Sequence, residues 1–129
     1  MQMATGGAPV FQWVNHAGFI FDYDNVRLLC DPWMDGTAFN NGWALLSDTR
    51  FRYDEFDTIT HIWFSHEHPD HFSPPNLRRI PEQARPRITI LFQQTLDRKV
   101  IRYCEGLGFG RVVELLPNSW VDLSQRLRV

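Results

Sequence analysis

Three histidines and one aspartate stand within six residues of the sequence, after an apolar run at 62–64; they are His66, His68, Asp70 and His71. Imidazole nitrogens and carboxylate oxygens are the usual protein ligands of zinc, and they also suit iron and manganese. Because His66 and His68 are two residues apart, both rings project to the same side of an extended segment. The pattern therefore predicts a site for one or two metal ions, with these two histidines on one ion and the Asp70–His71 pair on the other.

The residues around the motif indicate how the chain presents it. Pro69 pushes the preceding His68 away from helical conformation. Ser73 is a suitable N-cap and Pro74 a suitable first residue for a short helix over 74–80. The alternative interpretation of the histidines is a solvated turn, or a set of caps for this helix. Four ligand-type residues in one register favour metal binding over that alternative.

The rest of the chain predicts an α/β fold. The expected elements are three antiparallel strands (10–14, 18–23 and 26–30), the strand before the motif (60–64), the short helix (74–80), a βαβ unit with strands 88–92 and 112–116, and a further strand over 123–129. Thr95 is the expected N-cap of the βαβ helix, and Leu96 opens its apolar face. A right-handed crossover would place helices on one face of a mixed sheet. The aperiodic loop 33–57 is long enough to indicate a functional or mobile segment.

Composition restricts the classes of function. The 129 residues suffice for one domain, and 43% hydrophobic with 22% charged residues is typical of a globular protein. The formal net charge of −2, without a basic stripe, does not favour nucleic-acid binding. Cys30 and Cys104 are far apart and are interpreted as buried small hydrophobic residues. No export signal or membrane-length apolar run is visible, so a cytoplasmic location is expected.

The segment His66–His71 reads H-x-H-x-D-H after an apolar strand and resembles the metal-binding motif of the metallo-β-lactamase fold superfamily. The resemblance implies that His66 and His68 bind a first metal ion, and that Asp70 and His71 bind a second. It also implies that Asp70 orients a metal-activated hydroxide, which attacks an ester, lactone or phosphodiester-type bond of a small-molecule substrate. Zinc, as one or two ions, is the expected metal, and iron or manganese is the alternative.

Two further residues are similar to a branch of this superfamily that contains lactonase-like and N-acyl-phosphatidylethanolamine phospholipase D-like proteins. His16 lies in a W-x-x-H-A segment, which the resemblance places near the metal ligands, on the substrate side. The alternative for His16 is a hydrogen-bonded structural histidine. Asp31 belongs to a D-P pair after the third predicted strand, where it would orient a ligand imidazole. The alternative for Asp31 is a turn-forming residue.

The segment 31–43 resembles more closely the subgroup that contains CMP-N-acetylneuraminate hydroxylase and bacterial amino-sugar hydroxylases. These proteins combine a metallo-β-lactamase-like fold with a Rieske iron–sulfur domain. The alternative function is therefore an iron-dependent hydroxylase, with electrons supplied from elsewhere because the sequence has no C-x-H…C-x-x-H pair. Phe39, Trp43, Phe51 and Tyr53 are interpreted as a loop folded over the core, with an aromatic wall for a sugar or acyl substrate as the alternative.

The resemblance covers the first half of the family's αββα sandwich. No histidine follows His71, so the ligands that the second half would bring are not in this sequence. We expect residues 1–129 to be an N-terminal half-domain: a truncated piece, a half completed by a homodimer or by a missing C-terminal half, or a non-catalytic module with a remnant metal site. Whether the chain is an enzyme on its own stays open.

Overall fold

The computed structural model describes residues 7–129. The strands are β1 (Val10–Asn15), β2 (Gly18–Tyr23), β3 (Val26–Cys30), β4 (Thr37–Ala38), β5 (Trp43–Ala44), β6 (His61–Trp63), β7 (Thr89–Gln93) and β8 (Arg111–Leu115). The helices are α1 (Pro74–Arg79) and α2 (Lys99–Gly106), and 3-10 turns occupy Tyr53–Thr58 and Arg85–Arg87. None of these helices combines the length and the apolar character needed to cross a bilayer.

Six strands form one mixed sheet in the order β1-β2-β3-β6-β7-β8, and β4 with β5 forms a separate small hairpin. β1, β2 and β3 are antiparallel neighbours, whereas β3, β6, β7 and β8 run parallel. The predicted α/β class is confirmed. Because β3, β6 and β7 run in the same direction, the loops that follow them meet at one edge of the sheet, where ligands bind in open α/β folds.

Both helices lie on one face of the sheet, as predicted. The core on that face joins sheet residues Leu29, Ile62 and Ile90 to Leu77 of α1 and to Val100, Ile101 and Cys104 of α2. On the other face Leu28, Cys30 and Leu91 pack against C-terminal Leu123, Leu127 and Val129. Both cysteines are buried and unbridged, which confirms their interpretation as small hydrophobic residues.

The helix of the βαβ unit begins later than expected. Thr95 is not its N-cap, and Leu96 is fully exposed rather than part of the apolar face. Arg98 adopts a left-handed conformation at φ 52°, and helix α2 starts after it. The Asp97 carboxylate accepts a hydrogen bond from the Lys99 backbone N–H at 3.1 Å. Asp97 therefore caps the start of α2 in place of Thr95. Ser73, by contrast, caps α1 as predicted, with its Oγ accepting from the Asn76 N–H.

The expected strand over 123–129 is also wrong. Val121 and Val129 exchange backbone hydrogen bonds of 2.7 and 2.9 Å, and Asp122 bridges Arg128 in antiparallel fashion. The segment is therefore a tight hairpin closed on itself, and it joins no strand of the main sheet. Its apolar residues still pack on the sheet, because the alternation that suggested a strand also serves one side of a hairpin.

The long loop between β3 and β6 has a buried and an exposed part. Phe51 and Phe56 belong to the core, and Tyr53 stacks on Phe56 at 5.8 Å, so this part is folded over the core as interpreted. Phe39 and Trp43, on the β4–β5 hairpin, remain 38% and 51% exposed. These two rings lie 4.8 Å apart and face the edge of the sheet at which β3 and β6 end.

Candidate metal centre

The residues that the sequence singled out come together at the carboxyl edge of the parallel strands. His16 occupies the β1–β2 turn, Asp31 follows β3 directly, and the segment His66–His71 follows β6. His16 and Asp31 both have positive φ, at 49° and 47°. Such angles are uncommon for residues other than glycine, and they cluster at functional sites. The backbone thus turns sharply at both positions, which directs two side chains toward the motif loop.

One group of potential ligands consists of His16, Asp70 and His71. His16 Nε2 lies 2.9 Å from Asp70 Oδ2, and His71 Nε2 lies 3.3 Å from the same oxygen. Asp70 is only 6% exposed, whereas His16 is open to solvent. The structure thus places His16 within a group of potential ligands, whereas the resemblance had placed it only near them.

A second group consists of His66, His68 and Asp70, whose potential ligand atoms lie within 4.8 Å of one another. The rings of the two histidines are 4.7 Å apart. Asp70 therefore belongs to both groups, and each group offers three donor residues. Three is the number of ligands that catalytic zinc sites usually take from the protein, leaving a further position for water or substrate.

Asp31 fixes the orientation of the motif loop. Its Oδ1 accepts the backbone N–H of Ser65 at 2.7 Å, and its Oδ2 accepts the Ser65 hydroxyl at 2.7 Å. The same Oδ2 lies 2.9 Å from Nδ1 of His71. Because a carboxylate only accepts hydrogen bonds, Nδ1 of His71 is the donor, and a neutral His71 ring would keep the lone pair of Nε2 for a ligand.

Ser65 extends this arrangement to a second imidazole. Its hydroxyl is committed to Asp31, so its oxygen accepts from Nδ1 of His66, 3.0 Å away. A neutral His66 ring would then keep the lone pair of Nε2 as well. Gln93, at the end of β7, donates to the Ser65 carbonyl at 2.8 Å and ties the motif loop to the next strand. Both imidazoles thus keep a free nitrogen on the side away from the Asp31–Ser65 pair.

The chemistry of the donors fits a cation. Nε2 of His71 faces Oδ2 of Asp70 with lone pairs on both atoms, a contact that only a proton or a cation between them makes favourable. Burial acts to raise the pKa of Asp70, but the hydrogen bond from His16 and the neighbouring imidazole of His71 hold that pKa below its usual value. Asp70 is therefore an anion at neutral pH, as a metal ligand must be.

Three residues that sequence reasoning missed position this cluster: Ser65, Gln93 and Asn15. Asn15 is 2% exposed; its Oδ1 accepts the His16 N–H at 2.8 Å, and its Nδ2 donates to the Ser47 carbonyl and Thr49 Oγ1 at 2.9 Å each. The signal for Asn15 was its place before a positive-φ turn, where Asn side chains commonly bond the backbone. Ser65 and Gln93 depend on contacts across strands and had no local signal.

The other two motif-strand residues lie outside the cluster. His61 is at the far end of β6, where its Nδ1 lies 2.7 Å from the Thr60 hydroxyl. Burial lowers the pKa of His61, so it is neutral at physiological pH. Glu67 is exposed, and its carboxylate lies 3.5 Å from the Lys99 ammonium. Neither residue belongs to the two groups of potential ligands.

The chain is similar to several known proteins, among them two curated relatives and one solved structure. The chain is 30% identical over 126 residues to the cytidine monophosphate-N-acetylneuraminic acid hydroxylase of Xenopus laevis, an alignment that covers 95% of this chain and 21% of the relative. It is 37% identical over 133 residues to the enzyme of the same name from Cricetulus griseus, covering 98% of this chain and 23% of that protein. The crystal structure of a possible metal-dependent hydrolase from Veillonella parvula superposes with a TM-score of 0.64 at 19% identity, over 88% of this chain and 44% of that one.

The chain thus spans between a fifth and a quarter of the length of these two relatives. A family model described as a beta-lactamase superfamily domain matches residues 10–112, which include every residue of the two donor groups. The likeness to the solved structure concerns the fold. By this match over most of its length and by its fold, the chain belongs to the beta-lactamase superfamily.

Proposed function

We propose that the protein is a metal-dependent hydrolase whose ions are held by His16, Asp70 and His71 and by His66, His68 and Asp70. The observation that carries the proposal is the sharing of Asp70 by two groups of three donors. Shared carboxylates are suited to paired metal ions, and two-metal sites are common among hydrolases. The family and the hydrolase-like neighbour support the same class of reaction.

Zinc is the proposed metal, as one or two ions. Four of the five donors are imidazoles, and a donor set rich in nitrogen suits zinc, with iron as a second choice, better than magnesium or calcium. When bound, such an ion supplies Lewis acidity and lowers the pKa of a coordinated water to near neutrality. The proposed substrates are small molecules with an ester, lactone or phosphodiester-type bond.

The side chains of this chain have separate tasks in the proposal. Asp70 is the catalytic residue, because its buried carboxylate lies between the two groups of histidines. Its Oδ2 contacts Nε2 of His16 and Nε2 of His71. Asp31 and Ser65 hold the imidazoles of His71 and His66 with Nε2 unprotonated. Trp33, fully buried and 5.1 Å from the His16 ring, excludes water from the inner side of the cluster.

The test is native mass spectrometry of the protein with zinc, together with hydrolysis of ester, lactone and phosphodiester substrates. We expect one or two ions per chain and an ester- or phosphodiester-cleaving activity that Asp70→Asn abolishes. Glu67→Gln is the matched control, because Glu67 is an exposed carboxylate of the same motif outside both groups. Zinc-free protein at saturating zinc, or activity retained in Asp70→Asn, would overturn the proposal. The same spectra count chains and so distinguish a homodimer from a single chain.

A second candidate is an iron-dependent hydroxylase, which the two hydroxylase relatives favour. The proposal would then require electrons from another protein. Iron in place of zinc after purification from cells grown with both metals, with an optical or electron paramagnetic resonance signal that Asp70→Asn removes, would favour this candidate. A third reading, a non-catalytic module, predicts that a His66→Ala/His68→Ala protein keeps its binding partners.

A further inference from the structure

A cavity of about 600 Å³ opens beside His16, on the side of the ring away from the motif loop. Its walls come from the β1–β2 turn, from Trp33 after β3, and from the β5 segment with the loop that follows it. The lining includes three indoles, of Trp13, Trp33 and Trp43, and the side chain of Leu46. The volume falls within the range of small-molecule sites in proteins.

The cavity carries no formal charge of its own. None of its lining residues is Asp, Glu, Lys or Arg. An anionic ligand group in this cavity would give up its water without gaining a cationic partner, and such a desolvated charge is strongly unfavourable. The lining therefore selects against carboxylate and phosphate groups.

Most polar side chains of the wall are already hydrogen-bonded, although Nε1 of Trp33 is buried and has no partner among the described residues. The Asn15 amide bonds the His16 N–H, the Ser47 carbonyl and Thr49, and the Ser47 hydroxyl donates to Asn15 Oδ1 at 3.2 Å. Trp13 Nε1 donates to the His16 carbonyl at 3.0 Å. A ligand with several hydroxyl groups, such as a sugar, would find few unpaired side-chain partners here. The cavity suits an uncharged group with few polar atoms.

The rim of the cavity leaves apolar surface exposed to water. Leu46 is fully exposed, and Trp13 and Trp43 are 54% and 51% exposed. Covering such surface with a hydrocarbon group is favourable in proportion to the area removed from water. The position is also suitable for a substrate, because the ring of Trp43 lies 6.4 Å from the ring of His16, whose Nε2 contacts Asp70.

We propose that this cavity binds the hydrocarbon acyl chain of an uncharged ester or lactone substrate, next to the bond that the site cleaves. The proposal rests on the proposed hydrolase function for the cleavage, but the binding of the acyl chain does not depend on metal. The indoles of Trp13 and Trp43 and the side chain of Leu46 form the walls, and Trp33 forms the floor. The proposed substrates are thus limited to acyl compounds whose acyl chain carries no charge.

The test uses primary amides with four, six and eight carbons, titrated into metal-free protein by calorimetry, with the matching carboxylates as charged counterparts. Affinity should rise about fourfold for each methylene that is buried, since burying one contributes close to 0.8 kcal/mol. The carboxylates should bind at least tenfold more weakly than the amides. Equal affinity across the series, or carboxylates or N-acetylglucosamine binding more tightly than the amides, would overturn the proposal.

Two variants locate the binding. Trp43→Ala should weaken the eight-carbon amide at least tenfold, whereas Trp120→Ala, which removes another exposed indole outside the cavity, should leave its affinity unchanged. Leu46→Asp, at a fully exposed position that cannot disturb folding, should weaken the amide and the carboxylate, the carboxylate more. If the cavity variants match Trp120→Ala, the proposal is wrong. Because these titrations need no metal or turnover, a failure of hydrolysis leaves their outcome intact.

Discussion

The two ends of the parallel strands handle buried charge in opposite ways. At the carboxyl edge Asp31 and Asp70 are 5% and 6% exposed, and no lysine or arginine is paired with either of them among the described residues. At the other end of β3, Arg27 is 1% exposed, and its guanidinium donates to Asp22 on β2 at 2.8 Å. At the carboxyl edge the only ionisable partners of the carboxylates in the described part of the chain are imidazoles. At the other end a carboxylate is neutralised by a guanidinium.

The difference separates a site from a structural ion pair. Arg27 and Asp22 stand opposite each other in the β2–β3 register, so their charges cancel within the sheet. Asp22 Oδ1 and Arg27 Nε are buried, so the pair is closed to a further ligand. Neither atom has a hydrogen-bond partner among the described residues, so the pair is also imperfectly bonded. At the carboxyl edge, donor atoms of imidazoles and a carboxylate face one another, and in the proposed function a cation from solution would balance their charge.

Removal of the cation at the structural end should have the largest effect. Arg27→Met leaves the Asp22 carboxylate buried without a counter-charge, which we expect to lower the free energy of unfolding by about 3–5 kcal/mol. Urea denaturation measures the loss. The double variant Asp22→Leu/Arg27→Met should recover most of the loss, because it removes both charges. If Arg27→Met were as stable as the parent, the pair with Asp22 would not be a stabilising ion pair, and the proposed difference between the two ends would be wrong.

Neutralising the shared carboxylate of the site should affect ligand binding and leave stability almost untouched. Asp70→Asn keeps the shape of the side chain but removes a charge from both donor groups, so we expect zinc affinity to fall by at least about 100-fold, more than the loss of an orienting partner causes. Competition with a zinc-chelating dye measures the affinity. If metal-free Asp70→Asn were as destabilised as Arg27→Met, the carboxyl edge would be structural too.

A smaller effect is expected from the carboxylate that orients the imidazoles. In Asp31→Asn an amide N–H₂ replaces Oδ2 and cannot accept from His71 Nδ1, so zinc affinity should fall by about 10- to 100-fold. Asp54→Asn is the control, because Asp54 is an exposed aspartate that contacts only Arg52 in the described structure. The dye competition distinguishes the two variants. Equal zinc affinity in Asp31→Asn and the parent would show that Asp31 serves the backbone of Ser65 alone.

The smallest effect concerns pH at the structural end. Burial lowers the pKa of His61 in the folded chain, while the unfolded chain keeps the ordinary pKa near 6.5. As pH falls below about 6.5, the unfolded state gains a proton that the folded state resists, so stability is lost toward the lowered folded pKa, with a slope of at most about 1.4 kcal/mol per pH unit. Urea denaturation at pH 5 and pH 8 should show a smaller difference for His61→Gln than for the parent. An identical difference in both proteins would exclude His61 as the source.

Local sequence predicted the fold wherever a strand carried its own pattern. Strands β2 and β3 match the predicted bounds, because β-branched and aromatic runs there end at clear turn residues. The hairpin at 121–129 and the late start of α2 were missed for a shared reason. Apolar alternation does not specify a strand's partner, and the left-handed conformation of Arg98 has no signal in its residue type.

The candidate site was predictable only in part. The motif His66–His71 is local, so its spacing alone indicated a metal site. His16 could be placed near that site only by resemblance, because its contact with Asp70 joins residues 54 positions apart. Gln93 reaches Ser65 through the parallel pairing of β6 with β7, which no short-range pattern encodes. The candidate ligands within one segment could therefore be predicted from the sequence, whereas the residues that position them could not.

The spread of the donors along the chain also bears on when the protein acquires its ion. The motif places His66, His68, Asp70 and His71 side by side even in an unfolded chain. His16 lies 54 positions from Asp70 along the chain and reaches it only in the folded sheet. In the proposed function, the unfolded polypeptide would already offer the donors of the motif to a metal ion. Folding would then add the imidazole of His16 to that set.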